Sequence, residues 1–203
     1  MQAAATAPEV RISAWIEEAW TLFQLHWKAF VPAFAVIWLA TVLGGGLVVG
    51  LLVAPPLWFG AMRMALAAAR GEDVWFVDLF EGFQKFVQSV LFYLAFFALT
   101  ILGFALFVVP GVLFTVVTAL SLAIAVDRGA GALDAFKLSY DAVRGSLGGF
   151  FLLWLAFIAF GLASAALGGL PILVFGPMWV LVQALAYRDF LGLTKPRIPE
   201  AAA

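Results

Sequence analysis

Charged positions fall in clusters along this chain, and long apolar blocks separate the clusters. Residues 29–62 hold no Asp, Glu, Lys or Arg, nor do 64–69. Residues 86–126 are 41 uncharged positions in a row, and 145–187 are 43. One membrane-spanning helix takes about 20 apolar residues, so each long block predicts two spans joined by an uncharged turn. One helix over such a block would be roughly 60 Å long at about 1.5 Å per residue, twice the hydrocarbon thickness. The pattern predicts an all-α polytopic membrane protein with six transmembrane helices in three hairpins. Gly44-Gly45-Gly46, Gly103 and Gly168-Gly169 fall near the predicted tips. Pro56, Pro110 and Pro171 are expected to open the second helix of each hairpin, because Pro suits a first turn and not a helix interior; the alternative is a Pro kink within a span, which membrane helices tolerate.

A different periodicity precedes each hairpin. Apolar residues at i, i+3, i+4 and i+7 mark an amphipathic helix. Val10–Lys28 places Ile12, Trp15, Ile16, Ala19, Phe23 and Trp27 opposite Arg11, Glu17, Glu18, Gln24 and Lys28. Val74–Phe86 sets Phe76, Val77, Phe80 and Phe83 against Asp78, Glu81 and Lys85. Leu133–Leu147 sets Leu133, Phe136, Tyr140, Val143 and Leu147 against Asp134, Lys137, Asp141 and Arg144. These segments are expected to lie in the membrane interface, with aromatic rings at headgroup depth, or to cap an opening between the hairpins.

The unit of amphipathic helix, span, tip, span and Arg therefore recurs three times. Arg70, Arg128 and Arg188 close the hairpins, 58 and 60 residues apart. The whole chain, 1–203, reads as one integral membrane domain with repeat units of about 10–70, 73–128 and 132–188 and a disordered tail over 196–203. An even span count per unit makes the repeats parallel, about an axis near the membrane normal, unlike the inverted repeats of many transporters.

Composition agrees with a lipid solvent. The 203 residues are 66% hydrophobic and 11% charged, against roughly 45–50% and 25% in soluble domains. That excludes a soluble enzyme, a disordered chain and a nucleic-acid partner. There is no Cys and one His, so neither a thiolate nor a multi-histidine metal site is available, and no cofactor is implied. All eleven Lys and Arg lie away from the three tips. The positive-inside rule then predicts a bacterial inner-membrane protein with both termini cytoplasmic. Met1–Pro8 lacks the basic start and apolar core of a cleaved signal, so the first span is expected to act as an uncleaved one.

Candidate chemistry is sparse. The uncharged blocks hold Thr41, Ser89, Tyr93, Thr100, Thr115, Thr118, Ser121, Ser164 and Gln183, with no acid or base beside them. Such groups are expected to bond back to helix backbone. His26, beside Trp27 and Lys28, reads as an interfacial side chain. Arg63 is the exception, two turns inside a span from Arg70. An intramembrane Arg costs about 2.5–3.5 kcal/mol on insertion scales. It is expected to snorkel or to pair with Glu17, Glu18, Asp78 or Glu81; a lipid phosphate or substrate is the other reading. Arg63, Arg70, Arg128 and Arg188 are the candidate binding residues, for lipid phosphate or for ion pairs.

The stretch Arg70-Gly71-Glu72 leading to Asp78-Leu79-Phe80-Glu81-Gly82-Phe83 has a sequel in Val109-Pro110-Gly111, Ala125-Val126-Asp127 and Ala135-Phe136-Lys137-Leu138-Ser139. Together these resemble a group of uncharacterised bacterial six-span membrane proteins. Related domains are fused, as membrane domains, to some glycerophosphodiester phosphodiesterases. The resemblance covers most of the chain and implies a fold without an activity; no catalytic residue carries over. The expected function is non-enzymatic: organising lipid, or assembling with another membrane protein or with a second copy. The alternative is a small-molecule or lipid transporter or channel with its cavity between the hairpins.

Overall fold

The computed structural model describes residues 10–43, 47–166 and 171–194. Every regular element among them is helical. They are α1 (Ile12–Leu43), α2 (Leu47–Ala69), a 3₁₀ helix (Phe76–Lys85), α3 (Phe86–Leu106), α4 (Val108–Val117), α5 (Ser121–Arg128), α6 (Ala132–Val143), a single 3₁₀ turn (Arg144–Ser146), α7 (Leu147–Ala166) and α8 (Ile172–Leu191). Five helical stretches are long and apolar enough to cross a membrane: Ile12–Thr41, Leu52–Ala69, Phe76–Leu106, Val108–Arg128 and Ala132–Ser164. α8 is not among them, since Pro177, Gln183, Arg188 and Asp189 dilute its apolar character.

The first amphipathic segment runs straight into its span. α1 breaks only at His26 (φ −112°, ψ 19°), just before the turn in which Pro32 denies the Lys28 carbonyl its usual donor. The prolines at 55 and 56 require a correction. They sit inside α2, which begins at Leu47, because packing against the 3₁₀ helix holds the backbone there. Pro110 does fall in the first turn of α4, and Pro171 is the N-cap of α8. The Gly44–Gly46 and Gly168-Gly169 tips lie outside the described residues. At the α3–α4 junction Phe107 alone is extended (φ −168°). The helices fold back so tightly that a Cβ on Gly103 would stand 2.9 Å from the Gly111 Cα.

The second amphipathic segment is a ten-residue 3₁₀ helix rather than the expected α-helix. Such runs usually stop at three or four residues. Here tertiary packing imposes it: Leu79 and Gly82 are buried against α2, so close that a Cβ on Gly60 would overlap the Leu79 carbonyl oxygen and one on Gly82 the Pro56 carbonyl oxygen. Helices in lipid gain nothing hydrophobic by associating, so close backbone approach at small residues supplies the attraction. Ala61, Ala65 and Ala68 of α2 are buried, but Gly60 and Gly82 make the tightest contact.

α2 is the hub. It packs on α1, α8, α3, α5 and the 3₁₀ helix, while α1 packs chiefly along α8. Phe30, Phe34, Ile37, Leu57, Met62 and Leu66 form the centre of the core. α7 is peripheral, touching α4 and α8 at few points. Leu152, Leu162, Leu91, Ile101 and Phe107 stand exposed on the outer surfaces of α7 and α3 and at their junctions, an apolar exterior that water would not tolerate at this extent.

Candidate functional site

Several hydroxyls within the apolar stretches bond to helix backbone as expected, whereas the buried Thr100 hydroxyl meets no partner among the described residues. Thr41 donates to the Ile37 carbonyl at 2.8 Å, Ser89 to Phe86 at 2.8 Å, Thr115 to Val112 at 2.8 Å and Thr118 to Phe114 at 2.7 Å. The break between α4 and α5 is closed from outside. Ser139 of α6 donates to the Val117 carbonyl (2.7 Å) and accepts from the Leu120 N–H (3.1 Å). Gln183 of α8 donates to the Ala119 carbonyl at 3.1 Å. A side chain inserted into the helical ladder is a recognised cause of such a bend, and no reactive group is left over from it.

Arg70, Arg128 and Arg188 are all engaged. Asp127, its side chain 1% exposed, pairs with Arg70. It also accepts from the Tyr187 hydroxyl (2.7 Å), the Thr194 N–H (3.0 Å) and the Thr194 hydroxyl (2.7 Å). Arg128 donates to the Tyr187 hydroxyl and to the Leu191 carbonyl, each at 3.0 Å. These bonds tie the ends of α2, α5 and α8 to the segment after α8. Arg188 stands in a second cluster. It forks onto Glu18 at 2.5 and 2.9 Å, the bidentate geometry that suits guanidinium and carboxylate. Its neighbour Asp189 accepts from Arg11 (2.8 Å) and from the Trp15 indole (2.9 Å), joining the start of α1 to the end of α8.

Arg63 pairs with Glu81 of the 3₁₀ helix, one of its four expected carboxylates. The Arg63 side chain remains 51% exposed, and pairs this open contribute under about 1 kcal/mol. Arg63→Leu should therefore shift unfolding only slightly, whereas Arg63→Glu should lower the yield of folded protein. Restoration by the exchanged pair Arg63→Glu with Glu81→Arg, read by size-exclusion of the purified protein, is the expected result. Failure of the exchange to restore yield would assign Arg63 another partner.

Among the described residues, two cavities stand out. The first, about 660 Å³, is a polar cleft bordered by Arg63, Arg70, Arg128, Asp78, Glu81 and Lys85, with Phe59, Met64 and Leu66 also lining it. The structure thus brings Arg63, Arg70 and Arg128 together and leaves Arg188 apart. The second, about 490 Å³, is an apolar groove between α1, α2, α7 and α8. Four of the eight Trp residues line it: Trp20, Trp38, Trp58 and Trp179. Among the described residues no three His, Asp or Glu side chains converge where a metal ion could sit.

The 3₁₀ helix reverses the pattern of a soluble amphipathic helix. Its Asp78, Glu81 and Lys85 border the cleft, while Val77, Phe80 and Phe83 are exposed, as is the adjoining Trp75. In α6 Phe136 and Val143 are buried, but Leu133 and Tyr140 of the same predicted face are exposed. Sequence reasoning missed Asp127, Ser139 and Tyr187 as organisers. Asp127 and Ser139 fall within the short motifs noted above, but nothing in their spacing shows which distant backbone or arginine they meet.

No family profile matches the chain, and no solved structure does either. The chain is similar over 95 residues, 47% of its length, to uncharacterised proteins of Mycobacterium bovis and Mycobacterium tuberculosis strain CDC 1551, at 35% identity. A protein of M. tuberculosis strain H37Rv, also uncharacterised, is 34% identical over the same length. The matched stretch is 29% of the length of each of these relatives.

Proposed function

We propose that the protein is a non-enzymatic, six-span inner-membrane protein that organises lipid. α8 is the sixth span in this reading, and units 10–70, 73–128 and 132–188 are three parallel hairpins with both termini cytoplasmic. The observation that carries it is the 3₁₀ helix with Phe80 and Phe83 exposed and Asp78 and Glu81 bordering the cleft. Exposed Trp75, Val77, Phe80 and Phe83 suit the headgroup–acyl boundary, where aromatic residues concentrate. A tunnel for solutes is less well supported, because buried Phe59, Met64 and Leu66 form part of the cleft's lining and its cations are already held by protein partners. The resemblance to six-span bacterial membrane proteins is consistent with this reading and adds no activity to it.

Purification in native nanodiscs tests the function. The expected result is a lipid composition around the protein that differs reproducibly from the bulk membrane; a composition equal to bulk would refute it. Topology is tested separately in this Cys-free chain. Single Cys residues at Glu72 and Gly131 should be protected from a membrane-impermeant thiol reagent in intact cells and labelled in inverted vesicles. Labelling in intact cells, with the outer membrane permeabilised, would reverse the orientation.

A further inference from the structure

Resting on the lipid-organising reading, we infer that the groove between α1, α2, α7 and α8 is a binding site for one acyl chain of a phospholipid. The groove's wall is apolar apart from Ser164 and the indole N–H groups, and Phe157–Trp179 and Phe160–Phe175 stack across from α7 to α8 with centroids 4.1 and 4.6 Å apart. It lies among helices whose outer surfaces are apolar, so acyl chains are its surroundings. Shape then favours the occupant. A partner's transmembrane helix lays only its side chains into a groove, its axis staying about 8–10 Å off, whereas a single flexible chain can occupy the 490 Å³ itself.

The indoles add the polar part of the recognition. Indole N–H is a donor only and usually finds an acceptor when withdrawn from water. Trp15 does so, on Asp189. Among the described residues the N–H groups of Trp20, Trp38, Trp58 and Trp179 donate to no protein acceptor, yet all four border the groove. Trp38 lies five residues before the end of α1 and Trp179 seven after the start of α8. Both are thus within about 10 Å of a helix end by the rise per residue, the region where ester carbonyls become available. An esterified chain supplies the apolar body the groove accommodates and, at its one ester end, a carbonyl acceptor for Trp38 or Trp179; Trp20, about 27 Å from Trp38 along α1 by helix rise, lies beyond its reach. A plain hydrocarbon supplies only the first.

Gly161 gives a clean test. It borders the groove and has no atom within 4 Å of where a Cβ would stand, so a larger side chain enters the groove without displacing backbone. Gly148, on the same helix and equally open, is away from the groove and serves as the control. The full chain is purified in mild detergent, exchanged extensively, and its retained phospholipid is counted by mass spectrometry. Wild type and Gly148→Trp should each retain about one phospholipid per chain. Gly161→Trp should retain at least five-fold less, and Gly161→Leu an intermediate amount, all four eluting as the same species on size-exclusion. Equal retention by Gly161→Trp and wild type, no retained lipid in wild type, or a co-purifying peptide instead of lipid would each overturn the inference. These outcomes are separable from the nanodisc result: selective lipid around the wild type with none retained in detergent defeats the groove alone, whereas bulk composition in nanodiscs defeats the broader reading.

Discussion

Gly82→Ala should remove most folded protein, although it adds one methyl group. That methyl would overlap the Pro56 carbonyl oxygen and lie 2.6 Å from the Gly60 amide nitrogen. Both obstacles are backbone, so no rotamer change relieves them and the 3₁₀ helix must lift off α2. Overpacking costs about 1–3 kcal/mol when side chains can adjust, and occasionally more; with backbone on both sides the upper end, about 3 kcal/mol, is expected. Gly60→Ala meets the Leu79 carbonyl in the same contact and should behave alike. Gly148→Ala, with open space around it, should be unchanged or slightly stabilised, since Ala is favoured over Gly in helices by roughly 0.5–1 kcal/mol. Thermal unfolding in detergent, followed by the monodisperse fraction, measures all three. A Gly82→Ala protein as stable as Gly148→Ala would mean that the two helices are not in contact.

The second large effect is expected at Asp127. Asp127→Ala leaves Arg70, 17% exposed, without its counter-charge and deprives Tyr187 and both Thr194 donors of their acceptor. Removing one partner of a buried pair costs about 3–5 kcal/mol. Most of that is the penalty of the abandoned cation, so Arg70→Met combined with Asp127→Leu should recover more than half of the loss. Asp127→Asn, which keeps an acceptor and the shape, should fall between. A double-mutant cycle on unfolding free energy decides: strictly additive losses at positions 70 and 127 would show that the two side chains act independently.

These two positions mark where reading the chain alone stops. The uncharged blocks determined that helices would cross lipid, because the bilayer sets a length of about 20 residues and excludes unpaired charge. The same reasoning located Arg63 as a charge in need of a partner and named Glu81 among the acceptable ones. It placed Arg70, Arg128 and Arg188 at helix ends, and it foresaw the bonds of Thr41, Ser89, Thr115 and Thr118 to nearby carbonyls, though not that Thr100 would find no partner among the described residues. All of these follow from local chemistry, since a helix and a membrane impose the same constraint on every stretch of chain.

Tertiary structure decided the rest, for reasons that no single segment carries. Residues 76–85 have the periodicity of an α-helix, yet close approach to α2 at Gly60 and Gly82 winds them into a 3₁₀ helix and turns Leu79, not Phe80 or Phe83, inward. Pro55-Pro56 reads as a helix start, yet it stays within α2 beneath that same contact. Asp127, Ser139 and Tyr187 look unremarkable in sequence because their partners lie far along the chain, in Arg70, in the α4–α5 break and in Asp127 itself. The groove beside Trp58 and Trp179 is likewise a product of assembly: it exists because α7 stands off from the rest of the bundle, a distance that depends on helix packing and not on the order of residues in any one helix.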